Sequence, residues 1–376
     1  MSFSNQINKY FKKNSDLLSY FNDYTVQRKH YNYFIIIPVF NEYDYILDTL
    51  ESINKNSTTD FKNLLVILVI NNSVTDSKKI VNNNFKTHQL INQQEYKYEK
   101  LVIDFYSKGK QLIDKHAGVG TARKIGMDYA LKLSNPQSIF FSLDADTIIS
   151  KQYLKIIKKK FKESKMHACV INFKHQKSSD SIIEQGIRLY ENKIKNIAKQ
   201  INNTGSPYGY VSMGSAIVCT ALAYVSVGGM PKKKATEDFY FLQALAKFSK
   251  IYRIKEILVF PSSRCEQRVY LGTGYRLNEF KKNITFRDLD YSFFAYQNLR
   301  YLITTTEQMW GQDYNLVYNK IKTESNKKIV DFLVQHNFKN IWINFCKETK
   351  NKKQFMLFFN QWFDALKTIK FLKKLS

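Results

Sequence analysis

The chain has 376 residues, enough for two average domains, and 44% are hydrophobic and 15% aromatic, which excludes global disorder. The formal net charge is +26 at pH 7, a balance that favours an anionic partner: nucleic acid, an anionic membrane face or a phosphorylated small molecule. Charge alone does not choose among these, because a Lys-, Asn- and Ile-rich chain with only 13 Gly and 5 Pro is also what compositional bias of an AT-rich coding sequence produces.

The cysteines, Cys169, Cys219, Cys265 and Cys346, stand far apart, with no CxxC pair and no histidine at metal-binding spacing. They read as reduced thiols of a cytosolic protein rather than as a disulfide or zinc framework. No apolar h-region opens the chain, and no run of about 18 apolar residues occurs. The expectation is a cytoplasmic protein, free or peripheral at the inner face of a membrane.

Residues 1–30 are polar and aromatic with a partly helical pattern. FIIIPVF (34–40) is a continuous β-branched run, the mark of a strand buried on both faces. Asn41 is placed to cap a following helix, in which Ile46, Leu47, Leu50 and Ile53 keep helical spacing. LLVILVI (64–70) predicts a second strand, ending at Asn71-Asn72-Ser73 ahead of a polar helix, and LVIDFYS (101–107) a third. GVGTARKIGMDYALKL (118–133) opens with glycines and turns helical. SIFFSL (138–143) predicts a fourth strand, ending at Asp144-Ala145-Asp146; a lysine-rich helix (151–163) and the strand HACVINF (167–173) follow.

This alternation predicts an α/β fold, a mostly parallel sheet covered by helices on both faces. Ligands of such sheets lie beyond the carboxyl ends of the strands, so Asn72, Gly118, Asp144 and Asp146 should converge on one crevice. Further on come a long amphipathic helix (181–202), a Gly- and Ser-rich stretch (204–230), the strand ILVF and an aromatic-dense, purely helical end. The expected organisation is an N-terminal helical extension (1–30), an α/β domain (31–280) and a C-terminal α-helical domain (281–376).

Three segments could carry chemistry. In an extended stretch Asp144 and Asp146 point to the same side and could share a hard divalent cation, Mg2+ or Mn2+; a solvated turn is the plainer reading. Glu237 and Asp238 follow three lysines and open an apolar helix, where Thr236 can cap and acids suit the positive end. Arg264, Arg268 and Arg276 surround Gly272-Thr273-Gly274, a pattern able to hold phosphate through backbone N–H groups and guanidinium forks.

Taken in order, four motifs resemble the family 2 glycosyltransferases, which have the GT-A fold: Pro38-Val39-Phe40-Asn41-Glu42, Ala122-Arg123-Lys124-Ile125-Gly126, Asp144-Ala145-Asp146 and Glu237-Asp238. The resemblance covers about residues 33–262. It implies a metal-dependent, inverting transfer of a sugar from a nucleotide-diphosphate sugar to a hydroxyl of a glycan, lipid or small molecule. It implies Asp238 as the catalytic base with Glu237 beside it, and Asp146 with Asp144 as ligands of Mn2+ or Mg2+. Pro38, Phe40, Glu42, Asn72, Gly118, Arg123, Asp144, Arg264 and Arg268 are then the donor-side candidates. Asn71-Asn72-Ser73 departs from the family's Asp-Asp-x-Ser, and Lys124 replaces a common asparagine. The Gln-x-x-Arg-Trp motif of processive members is missing, which argues against a polymer-extruding synthase.

Two rivals stay open. A nucleotidyltransferase also places carboxylate-bound metal beside an α/β sheet, though it usually carries a glycine-rich, basic signature where this chain has PVFNE. A basic nucleic-acid-binding protein fits the charge, without any recognisable binding motif. At the C-terminus, Phe355, Phe358, Phe359, Trp362, Phe363, Leu366, Ile369 and Leu372 can form one broad apolar face beside lysines. Such a face suits either docking on the protein or an anionic membrane surface.

Overall fold

The structure is a computed structural model that describes residues 2–15, 19–58, 60–265 and 271–376. Among these, eight strands form one sheet: β1 (Tyr33–Val39), β2 (Leu64–Asn71), β3 (Glu99–Phe105), β4 (Ile139–Ser142), β5 (Ile148–Ile149), β6 (Ala168–Phe173), β7 (Ile217–Thr220) and β8 (Ile251–Phe260), in the order β3-β2-β1-β4-β7-β6-β8-β5. Ahead of β1 lies α1 (Phe3–Lys13), and between the strands run α2 (Ile46–Asn54), α3 (Lys78–Asn92), α4 (Val119–Lys132), α5 (Tyr153–Ser164), α6 (Ser181–Asn203), α7 (Ala221–Ser226) and α8 (Glu237–Phe248). After the sheet come α9 (Thr273–Lys281), α10 (Phe293–Gln308), α11 (Tyr314–Glu324), α12 (Lys327–Gln335), α13 (Phe338–Glu348), α14 (Lys352–Trp362) and α15 (Ala365–Leu375).

The sheet is mostly parallel, with β7 antiparallel to both neighbours and β5 antiparallel to β8. Continuous apolar runs become its centre: every residue of β2 is buried, as are all of β1 after Tyr33. Pro38 is tolerated in central β1 because it stands two residues past the last β4 pairing, Ile36 with Ser142, where no ladder bond is required of it. The helix α4 lies directly on β1 and β2. Gly126 permits this closeness: a Cβ there would stand 2.7 Å from Ile36 Cγ2 and 3.2 Å from Val69 Cγ2.

Several local expectations are corrected. Asn41 does not cap α2; it adopts φ 58° and its N–H donates to Asn84 Oδ1 at 2.9 Å. The first turn of α2 is held instead by the Glu42 carbonyl, which accepts from Tyr45 N and Ile46 N. The Gly- and Ser-rich stretch contains β7 and α7, and β8 begins six residues before ILVF, because its polar YRIKE half alternates too weakly to read as a strand.

Contacts divide the chain into two compact units, Met1–Ile187 with Ser212–Lys282, and Arg188–Val211 with Asn283–Ser376. The core of the second unit includes Leu299, Leu302, Phe332, Trp342, Phe355, Phe359 and Phe371. Its last residues form two helices rather than one, broken where Asp364 caps α15 by accepting from Lys367 N. Phe355, Phe359, Phe363 and Leu372 are buried there, so the broad apolar face expected of this segment is largely spent on the unit's own core. No described helix is long and apolar enough to cross a membrane.

The Gly126 contact generates a prediction. Gly126→Ala gains up to about 1 kcal/mol of helix propensity but overpacks α4 against two β-branched side chains, at about 1–3 kcal/mol. The expected net result is a lower urea midpoint with unchanged m-value.

Candidate active site

Arg123 projects from the second turn of α4 and is buried. It bonds Asp144 through Nη2 and Glu237 through Nη1. One guanidinium thereby joins a residue after β4 to the first turn of α8, with Glu237 lying 114 positions beyond Arg123 itself. Close packing enforces the arrangement. A Cβ on Gly214, just ahead of β7, would stand 2.3 Å from Arg123 Nη2. A Cβ on Gly120 would stand 2.4 Å from the Lys233 carbonyl oxygen and 2.9 Å from Glu237 Cβ. Both positions therefore require glycine.

Burial works against the charge of Arg123, but Asp144, Glu237 and Asp238 outweigh it and hold the guanidinium protonated. For Glu237, burial raises the carboxyl pKa; Arg123 opposes this and Asp238 adds to it. Asp238 is also raised, first by burial and further by Asp144, with Arg123 opposing. Its Oδ1 accepts from Phe239 N at 2.7 Å, which fixes the carboxylate at the start of α8. Three carboxylates thus share one cation.

A second guanidinium organises the far side. Arg264, four residues past β8, bonds Glu42 through Nη2 at 2.6 Å and Asp146 through Nε at 2.9 Å, and its Cζ lies 4.3 Å from the Tyr45 ring centroid. Gln176 steadies the same corner, donating to the Asp146 and Phe260 carbonyls at 3.0 and 2.8 Å. Thr49 Oγ1 donates to the Ala145 carbonyl at 2.8 Å. The Asp-Ala-Asp segment is a turn and not an extended strand, closed by Thr147 N on the Asp144 carbonyl at 3.2 Å. The two aspartates pair with different arginines, Asp144 with Arg123 and Asp146 with Arg264.

Glu42, Arg123, Asp144, Asp146, Glu237, Asp238 and Arg264 therefore form two linked clusters. Gly118 precedes α4 and lies against Lys234, whose Cα would be 3.1 Å from a Cβ at that position. Phe40 follows β1, half-buried. Pro38 is enclosed within β1. Asn72 is 0% exposed and turned inward, donating to the Ser73 carbonyl and accepting from Asn84 Nδ2; the structure does not bring it to the crevice surface. Arg268 lies outside the described residues. Tyr45, Gln176 and Gly214 escaped the sequence reading, although Gln176 has the signal used elsewhere, a polar residue just past a strand end.

Asp144 and Asp146 supply carboxylate oxygens with side chains 34% and 17% exposed. By donor chemistry they fit a hard divalent cation that completes its shell with phosphate and water oxygens. The described residues contain no cluster of three or more His, Cys, Asp or Glu side chains able to hold a metal ion by themselves, so such a cation would depend on ligand oxygens.

Residues 34–223 match the family model described as glycosyl transferase family 2. Among solved structures the chain is similar to S. aureus TarS 1–349 in complex with UDP-GlcNAc (16% identity, covering 86% of this chain and 89% of that chain, TM-score 0.45). It is also similar to the mannosyltransferase PcManGT from Pyrobaculum calidifontis in complex with GDP-Man and Mn2+ (12% identity, 95% and 97% covered, TM-score 0.40). A third is glucosyl-3-phosphoglycerate synthase from Mycobacterium tuberculosis in complex with phosphoglyceric acid (11% identity, 72% and 80% covered, TM-score 0.36). No curated protein matches the sequence.

Thr236, expected to cap α8, makes no side-chain cap bond and sits at φ 66°. A β-branched residue in the left-handed region carries strain on the order of 1–3 kcal/mol. Thr236→Gly relieves it while adding unfolded-state entropy worth about 0.4–1 kcal/mol. The expected net gain is about 1 kcal/mol, read as a higher urea midpoint; a lower midpoint would show that the hydroxyl or methyl of Thr236 outweighs the strain.

Proposed function

Since the chain belongs to glycosyl transferase family 2, with a GT-A sheet followed by a helical region, we propose that it moves a sugar from a nucleotide-diphosphate donor to a hydroxyl acceptor by a single inverting displacement. The observation that carries this reading is the Arg123 bridge, which ties the donor-side Asp144 to the acceptor-side Glu237-Asp238 pair. A displacement needs donor and acceptor carboxylates fixed relative to one another, because reacting atoms must be held in line.

Asp238 is the general base. It opens α8, its carboxylate is oriented by the Phe239 N–H, and desolvation makes it a better proton acceptor than an ordinary aspartate. Glu237, locked on Arg123, positions the acceptor hydroxyl or the donor sugar. Asp146, with Asp144, would hold Mn2+ or Mg2+; when bound, the cation neutralises the diphosphate and stabilises it as a leaving group. Arg264 joins Glu42 to Asp146 and presents a planar fork suited to phosphate oxygens. Phe40 and Gly118 border the donor side, at the edges where such sheets bind ligands. The partners are a nucleotide-diphosphate sugar and a glycan, lipid or small-molecule acceptor.

Screening nucleotide sugars by thermal shift with Mn2+ identifies the donor, since a ligand at 100 times its dissociation constant adds about 2.7 kcal/mol to stability. With that donor, Asp238→Asn should lower turnover by about 10²–10⁴ and leave nucleotide affinity nearly intact; turnover near wild type refutes the base assignment. Asp146→Ala should weaken Mn2+-dependent nucleotide binding, and unchanged affinity refutes the metal role.

The raised pKa of Asp238 fixes the sign of the pH dependence. A base held above the usual aspartate value of about 3.9 is protonated, and idle, at pH values where an ordinary aspartate is already charged. Activity should therefore fall as pH drops through a range above that value. An acid limb of kcat/KM at or below it would contradict the desolvated base.

A further inference from the structure

The face of α4 next to Arg123 carries a second buried polar cluster that the proposed reaction does not use. Lys124 Nζ lies 3.0 Å from Asp128 Oδ2 one turn along the helix, with side chains 3% and 0% exposed. Tyr10 of α1 and Tyr224 of α7 each donate to Asp128 Oδ1 at 2.6 Å. Lys124 donates in turn to the Tyr10 hydroxyl and stands 4.7 Å from the Tyr10 ring centroid. The seat for Tyr10 is built by the backbone: Gly229 has φ +82° at its neighbour Gly228 and +78° itself, and a Cβ on Gly229 would stand 2.2 Å from the Tyr10 hydroxyl oxygen.

Stability alone does not account for such a cluster. A buried ion pair gives up the hydration of both ions, and apolar replacements of similar volume are often no less stable. The best-attested use of a buried polar group is to fix register. Here two separate elements, α1 and α7, converge on one helix, and that helix carries Arg123 beside Lys124. Adjacent helical positions are about 100° apart around the axis, so a clamp on Lys124 and Asp128 sets the roll of α4 and with it the aim of Arg123. Gly126 sets the height of the helix above the sheet but places no polar group. Tyr10 lies outside the span matched by the family model, so this clamp draws on the chain's own N-terminal helix.

We propose that the Tyr10–Lys124–Asp128–Tyr224 cluster is a positioning device that fixes the roll and register of α4 and so places Arg123 between Asp144 and Glu237. None of its four members touches substrate; they act through Arg123. The kinetic arm of the test rests on the transferase reading, and the exchange arm does not.

Two variants of the full chain test it: Tyr10→Phe, which removes one hydroxyl, and the double exchange Lys124→Met with Asp128→Leu, which replaces the ion pair by apolar groups. Amide hydrogen exchange by mass spectrometry should show about tenfold faster exchange in peptides spanning 119–132 and 234–240. With an active donor, kcat of the folded enzyme should fall about tenfold or more, and more than KM changes, at a melting temperature close to wild type. Faster exchange confined to residues 2–15, or wild-type exchange at 119–132 with kcat intact, overturns the proposal. If Tyr10→Phe does not fold, the double variant decides by the same criteria. Wild-type enzyme without turnover on any donor counts against the transferase reading, and the exchange pattern still decides this one.

Discussion

The site depends on one buried guanidinium. Arg123 cannot shed its charge in a protein, and a charge without water must be paired. Asp144 and Glu237 are its partners, so the turn after β4 and the start of α8, far apart in sequence, are obliged to meet at one point. The glycines at 120, 126 and 214 are the steric counterpart of this electrostatic demand, since each marks a place where α4 or its arginine comes too close for a side chain. Removing any one partner would leave a buried charge uncompensated, which is far costlier than the pair is stabilising. On the proposed reading the imbalance also has chemical use. With Asp238 included, three carboxylates face one cation, and the shortfall of positive charge, together with burial, keeps the Glu237-Asp238 pair poised to bind protons.

The sheet topology explains how these groups reach one edge. Strands β1, β2 and β4 run parallel and end at the same edge. β7 is antiparallel to β4, with Phe141 opposite Val218 and Ile139 opposite Thr220. Its leading end therefore lies beside the trailing end of β4, and Gly214 arrives under Arg123 from the opposite chain direction. β8 is parallel to β6, so the chain beyond Phe260 emerges near Asp146 and delivers Arg264. A mixed sheet thus supplies the crevice from both the starts and the ends of strands.

What was legible in the sequence follows from this physics. Uninterrupted apolar runs announce strands buried on both faces, and β1, β2, β4 and β6 were readable for that reason. The four-residue β7 inside a Gly-rich stretch and the polar half of β8 were not, because their strand character comes from pairing partners rather than from their own period. Charged candidates were readable as residue types past strand ends; their pairings were not. Nothing local to Arg123 reveals Glu237, and nothing local to Asp-Ala-Asp reveals that it closes as a turn and faces two arginines. Asn72 stood at the right place in the order of elements yet satisfies its amide inside the fold with Asn84 and Ser73. Lys124 looked like an ordinary replacement in a helix motif, and only the fold brings Tyr10 and Tyr224 to Asp128 beside it.

The two arginines of the site divide the electrostatic labour by their burial. Arg123 is 2% exposed and bridges carboxylates on both sides of the crevice, so moving it would strand charges in a dry interior. Arg264 is 16% exposed and comes from a loop, and of its partners Asp146 is 17% exposed while Glu42 is buried. Near solvent an ion pair is weaker, because water competes for both ions. On the proposed reading, the inner arginine fixes the geometry of the carboxylates, and the outer one can exchange a carboxylate for a phosphate at modest cost. A guanidinium suits both tasks, since its planar fork engages either anion with the same paired geometry. The difference between scaffold and ligand-binding group then lies in how much water each arginine keeps.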